Sequence, residues 1–180
     1  AAKTLENAVT VASVADVVAR STTVVSCVPD DAAATAVADE LLSAAKPGLL
    51  HVSVSTLSPV CATDLERKHR EAGVGFVAAP VFARPENMRA GQASFALSGG
   101  DAALRQRAID EALSHAAPAE RCFDFGDDAG RAAAAKLTGN FMIAGAIEAL
   151  AEGLDLAEGQ VRRGNQPVSA ICADGVEEAP

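Results

Sequence analysis

One lysine in this 180-residue chain stands where proton chemistry is possible. Lys136 and Asn140 are four apart in a stretch whose spacing predicts a long helix, so they share a face. At about 100° per residue, Ile143, Ile147, Leu150 and Leu154 fall within roughly 40° of Lys136. A lysine in line with an apolar stripe is costly to bury unless paired, and burial lowers its pKa. Such a lysine is a usable general acid or base near neutral pH. The plain alternative is that this turn projects past the core and Lys136 snorkels into water. Glu148 and Glu152, also four apart but off the stripe, read as a solvated face.

Ser55-Thr56 supplies two hydroxyls and backbone N–H groups after an apolar run, which suits a carboxylate or an amide, although Ser/Thr turns also occur without ligands. Arg84, between Pro80 and Pro85, can clamp an anionic group in bidentate fashion, or simply be solvated. No serine sits in a nucleophile elbow and no cysteine lies near a histidine in sequence, so hydrolase chemistry has no support. Cys27, Cys61, Cys122 and Cys172 lack metal-type spacing, and His51, His69 and His115 stand far apart, so no metal site is expected.

The elements that must position these residues alternate. A short strand over Ala8–Ala12 and a helix from an Ser13 cap to Arg20 come first. Thr22–Val28 is a buried strand, Pro29-Asp30-Asp31 stops it, and Asp30 or Asp31 caps a helix over Ala32–Lys46 with Val37, Leu41 and Ala44 on one face. Leu49–Ser55 is β-branched and apolar, as a buried parallel strand should be. Pro59 suits a first helical position, the polar run Ala62–Ala72 suits a solvent-facing helix, and Gly73 ends it. Val74–Ala79 is a strand leading into a loop, Pro80–Pro85. Strands over Gln92–Leu97 and Arg121–Gly126 flank a helix from Asp101 to about His115. Asp127 or Asp128 caps the long helix, about Ala129–Glu158.

This order predicts an α/β fold with a mainly parallel sheet and right-handed crossovers. In such sheets ligands bind outside the carboxyl ends of the strands. Residues 1–126 form this part, 127–158 the long helix and 159–180 an irregular tail. A hydrophobic content of 49% argues against disorder, and a net charge of −9 against nucleic acid as a partner. No apolar run reaches the roughly 18 residues a membrane span needs, and no signal peptide is visible. A cytoplasmic protein with reduced thiols is the simple expectation.

Four stretches, in order and at matching intervals, resemble the NAD(P)-dependent β-hydroxyacid dehydrogenases, the superfamily of 3-hydroxyisobutyrate and 6-phosphogluconate dehydrogenases. They are Val24–Asp30, Val54–Pro59, Ala79–Pro85 with Ala90-Gly91, and Lys136–Asn140. The resemblance covers about Ala8 to Glu158. It implies a Rossmann-like sheet and hydride transfer between NADP or NAD and a small hydroxyacid-type substrate. It implies Lys136 as the catalytic lysine and Ser55, Thr56, Asn140 and Arg84 at the substrate. It implies Val28, Pro29 and Thr56 beside the cofactor, and a possible homodimer through the long helix.

The departures are specific. Ser53 stands where the family usually has aspartate, and Phe82-Ala83-Arg84 replaces its Ser-Gly-Gly, which resembles a branch with Phe-Gly-Arg-Pro. Relatives with imine-reductase activity replace the lysine, and Lys136 argues against that role. No G-x-G-x-x-G turn occurs in the chain, so the family's first βαβ unit, roughly 60 residues, is expected to be missing ahead of Ala1. The second, helical domain is expected to be nearly absent, leaving the apolar stripe of the long helix exposed. The alternative reading is a truncated, non-catalytic fragment that folds or self-associates without binding a dinucleotide.

Overall fold

A computed structural model describes residues 8–161 of the chain, with side chains through residue 158. The chain divides into two compact units, one ending at Leu137 and one beginning at Thr138.

The first unit is mixed α/β, as the alternation predicts. Helix α1 (Val14–Arg20) starts at Ser13, whose hydroxyl accepts the Asp16 N–H. Strand β1 (Thr23–Ser26) follows, then α2 (Asp31–Ala44), capped by the Asp30 carboxylate. Strand β2 (Leu50–Ser53) is buried at every position, as a strand covered on both faces must be. Helix α3 (Pro59–Glu71) has Ser58 as N-cap and Pro59 at its start, and Gly73 leaves it at a φ of 70°. Strand β3 (Gly75–Ala78) completes a parallel sheet in the order β1-β2-β3, with Ser26, Ser53 and Ala78 in register at its carboxyl edge.

A second sheet is built from β4 (Val81–Phe82), β5 (Ser94–Leu97) and β6 (Cys122–Asp124). β4 pairs antiparallel to β5, and β6 parallel to it. An antiparallel bridge, Ala78 to Ser98, joins the two sheets. Helix α4 (Pro85–Arg89) lies between β4 and β5, and α5 (Ala102–Glu111) between β5 and β6. Helix α6 (Gly130–Val161) closes the described chain. One face of the sheet packs Phe76 and Ala78 against Ala34 and Ala38 of α2, Leu65 of α3 and Ala132 of α6. The other packs Leu50, Val52, Val77 and Phe95 against Ala108 of α5.

Five expectations need correction. Ala8–Ala12 forms no strand. Helix α3 is not simply solvent-facing: it buries Cys61, Ala62, Leu65 and His69, because its few apolar groups repeat one turn apart on one face. The Pro80–Pro85 loop contains β4 and leads directly into α4, since Pro85 can begin a helix. The Asp101 helix ends at Glu111, and a 3-10 turn, Leu113–His115, follows. The long helix runs to Val161, three residues into the expected tail; the rest of that tail, with Cys172, lies outside the described residues.

The second unit, in its described residues, is helix alone. Phe141, Met142, Ile143, Ile147, Leu150 and Leu156 of this segment are exposed.

Candidate functional site

The carboxyl edge of β1-β2-β3 collects Val28, Pro29, Ser55 and Thr56 of the predicted residues. In-register strands deliver Cys27-Val28, Val54-Ser55 and Ala79-Pro80 to one edge of the sheet. Ser55 is buried, and its hydroxyl oxygen accepts the Val28 N–H at 2.8 Å. That bond ties two neighbouring strand ends together and leaves the Ser55 O–H proton to be donated elsewhere. Thr56 is exposed beside it, Pro29 is exposed and Val28 is half-buried. Ser53 is buried with a hydroxyl that has no partner among the described residues.

Lys136 belongs to the same unit. Its Nζ lies 4.2 Å from the centroid of the Phe82 ring. It is half-buried, and burial lowers its pKa from the ordinary lysine value. The ring face favours the ammonium form, so it acts against the desolvation on the same nitrogen. The ammonium lies over an aromatic face at a position of intermediate exposure, so the ring shelters it on one side. Sequence spacing marked the lysine but not its partner: Phe82 stood out only as a departure from a family pattern.

Arg84 is exposed at the N-cap of α4 and makes no side-chain cap bond. Asn140 is exposed on the second unit, one helical turn after Lys136. The structure thus brings together Ser55 with Val28, and Lys136 with Phe82. Lys136 is sheltered, whereas Ile143, Ile147 and Leu150 of its stripe are exposed, in line with the expected exposed stripe.

A dinucleotide asks two things of such an edge: an apolar shelf with polar rims for the nicotinamide, and N–H donors free of negative charge for the pyrophosphate. Val28, Pro29 and Thr56, at the strand ends, fit the first. The N-termini of α2 and α3, at this edge, do not fit the second. The N-terminus of α2 is occupied by the Asp30 carboxylate, which accepts the Ala33 N–H at 2.8 Å. The N-terminus of α3 is occupied by Asp31, whose carboxylate accepts the Ser58 hydroxyl at 2.6 Å and the Ser58 N–H at 3.0 Å. Those two bonds hold the Asp31 carboxyl below its usual range, so it stays negative.

A parallel sheet with helices on both faces, polar residues gathered at its carboxyl edge and a long helix bearing a sheltered lysine define an α/β domain of the dinucleotide-binding kind. The chain belongs to the family of the NAD binding domain of 6-phosphogluconate dehydrogenase, which matches residues 1–126. A Bacillus subtilis (strain 168) protein, "Uncharacterized oxidoreductase YfjR", is 34% identical over 122 residues, which are 67% of this chain and 41% of that protein. Among solved structures, 3-hydroxyisobutyrate dehydrogenase of Mycobacterium tuberculosis, recorded with L-serine, is 25% identical with a TM-score of 0.76, over 87% of this chain and 52% of that one. An imine reductase of Myxococcus stipitatus in complex with NADP+ is 26% identical with a TM-score of 0.69, over 82% and 50%. The chain therefore spans about two-fifths to one-half of these relatives. No helix among the described residues is long and apolar enough to cross a membrane.

Proposed function

We propose that this chain carries the substrate and nicotinamide side of an NAD(P)-dependent oxidoreductase of the β-hydroxyacid dehydrogenase type. The observation that carries the reading is Lys136: half-buried, over the Phe82 ring, with its pKa lowered by burial. A lysine so placed accepts the hydroxyl proton of a small hydroxyacid as it is oxidised, and returns it in the reverse direction. NADP or NAD, when bound, supplies the hydride chemistry. Thr56 and the Ser55 O–H hold substrate at the strand edge, Val28 and Pro29 form the shelf for the nicotinamide, and Arg84 clamps an anionic group of the substrate. In this reading residues 1–126 are the dinucleotide-binding part and the helix after them begins a helical part. Its exposed apolar residues pair with a second copy, and the protein works in the cytoplasm.

A second reading has its own support. Carboxylates occupy the N-termini of α2 and α3 at the candidate edge, and the chain has no G-x-G-x-x-G turn. On that ground the 180 residues alone are a folded fragment that binds no dinucleotide. A fluorescence titration of NADPH, then NADH, separates the two. The chain has no Trp and no Tyr, so protein emission barely interferes. Saturable binding supports the oxidoreductase reading and justifies hydroxyacid assays with Lys136→Ala as control. No binding up to millimolar cofactor, by a chain that circular dichroism shows to be folded, supports the fragment reading.

A further inference from the structure

Lys136 is seven residues past Ala129, or about 10 Å along α6. A tilt of about 10° around the first turn therefore moves it by about 2 Å. That is enough to carry a nitrogen now 4.2 Å from the Phe82 centroid out of useful range, which ends near about 6 Å. The placement of this lysine is thus decided at the start of its helix.

That start is held by groups from elsewhere in the fold. Ser98, just after β5, is fully buried. Its hydroxyl donates to the Ala129 carbonyl at 3.0 Å and accepts the Ala132 N–H at 3.0 Å. Glu66 of α3 spreads its two carboxylate oxygens over two backbones: one accepts the Gly100 N–H at 2.9 Å, the other the Ala129 N–H at 3.0 Å. The first-turn N–H groups that a helix leaves orphaned are here satisfied in part from β5 and α3. Ala132, which Ser98 grips, lies one turn below Lys136 and about 40° round the axis, so the anchored face is the face that carries the lysine.

We propose that Ser98 and Glu66 are positioning residues for Lys136: by pinning the first turn of α6 to β5 and α3, they fix the ammonium over the Phe82 ring. The functional meaning rests on the reading of Lys136 given above, but the geometry can be tested without a dinucleotide.

The test is NMR on the full chain after reductive methylation of its lysines with 13C-formaldehyde, Lys136 being assigned with Lys136→Arg. Two quantities are read: the titration midpoint, and the upfield shift that the Phe82 ring imposes on the N-methyl signals. In the parent chain Lys136 titrates below the three other lysines and its signals lie upfield. Ser98→Ala and Glu66→Gln raise the midpoint toward the other lysines and reduce the upfield shift. Ser98→Thr, which keeps the hydroxyl, retains both. Thr23→Ala, which loosens the fold at β1 by removing a bond to Glu111, leaves both unchanged. Should Ser98→Ala fail to fold, Glu66→Gln at a half-buried site decides. Folded Ser98→Ala or Glu66→Gln chains with an unmoved Lys136 overturn the proposal; alanine packing and the Asp128 cap on the Gly130 N–H then place the helix. A parent Lys136 that titrates with the other lysines yet keeps its upfield shift refutes the proton-transfer reading and leaves the positioning intact.

Discussion

Ser55 and Val28 come from consecutive strand ends 27 residues apart, and a 2.8 Å bond from the Val28 N–H to the Ser55 hydroxyl locks them together. The hydroxyl that sequence spacing offered to a substrate is thus committed on its acceptor side to the scaffold. Ser55→Ala strands the Val28 N–H at a half-buried position. The expected loss is about 1–2 kcal/mol in urea unfolding, with the m-value unchanged.

The buried pair His51 and His69 makes stability depend on pH. His69 Nδ1 lies 2.7 Å from the Leu65 carbonyl, an acceptor only, so that nitrogen carries the proton. His69 Nε2 then accepts from His51 Nδ1 at 2.9 Å, and His51 Nε2 accepts the Ser26 hydroxyl at 2.8 Å. Burial, with His69 adding to it, pulls the His51 pKa down to about 3, and burial also lowers that of His69. Below the unfolded value of 6.5 the unfolded chain binds protons that the folded chain refuses. Stability is therefore full above pH 6.5 and falls as the pH drops toward 3. Denaturation at about pH 7.5 and about pH 5 should show a loss of about 2 kcal/mol from His51 alone, with His69 adding in the same direction.

Arg105 is a buried cation with three partners at 2.8 Å. Its Nη1 donates to Asp127 and to the Gly100 carbonyl, each at 2.8 Å, and its Nε lies 2.8 Å from Asp124. The Nε contact is ionic rather than a well-aimed hydrogen bond. Arg105→Met removes the knot but leaves carboxylates that are largely exposed and can hydrate. The expected cost is about 1–3 kcal/mol, below that of stranding a buried charge, and calorimetric melting checks it.

Two glycines of α6 should answer the same substitution with opposite sign. A Cβ at Gly130 would stand 2.8 Å from Thr63 Oγ1 and 3.1 Å from the Pro59 carbonyl. Gly130→Ala therefore pushes α6 off α3 and should cost about 1–3 kcal/mol. A Cβ at Gly145 meets nothing within 4 Å. There helix propensity alone acts, and Gly145→Ala should raise the helix signal in circular dichroism and stabilise by up to about 1 kcal/mol.

The sequence alone determined the order of strands and helices after Arg20 apart from β4 and α4, because period and capping are local: Ser13, Asp30 and Asp101 cap the helices predicted from them. It also singled out Ser55 and Lys136, since residue type and spacing are visible in one dimension. It misread Ala8–Ala12, where strand propensity finds no neighbouring strand with which to pair. It misread α3 as solvated, since four well-spaced side chains bury a helix that is polar on average. Only the tertiary structure decided what the chemical residues touch. Phe82 lies under Lys136 although 54 residues separate them, Ser98 and Glu66 reach the first turn of α6 from two other elements, and His51 meets His69 across a strand and a helix. The physical reason is that hydrogen bonds and desolvation act through space at a few ångströms, and no one-dimensional period encodes which distant side chains fill that shell.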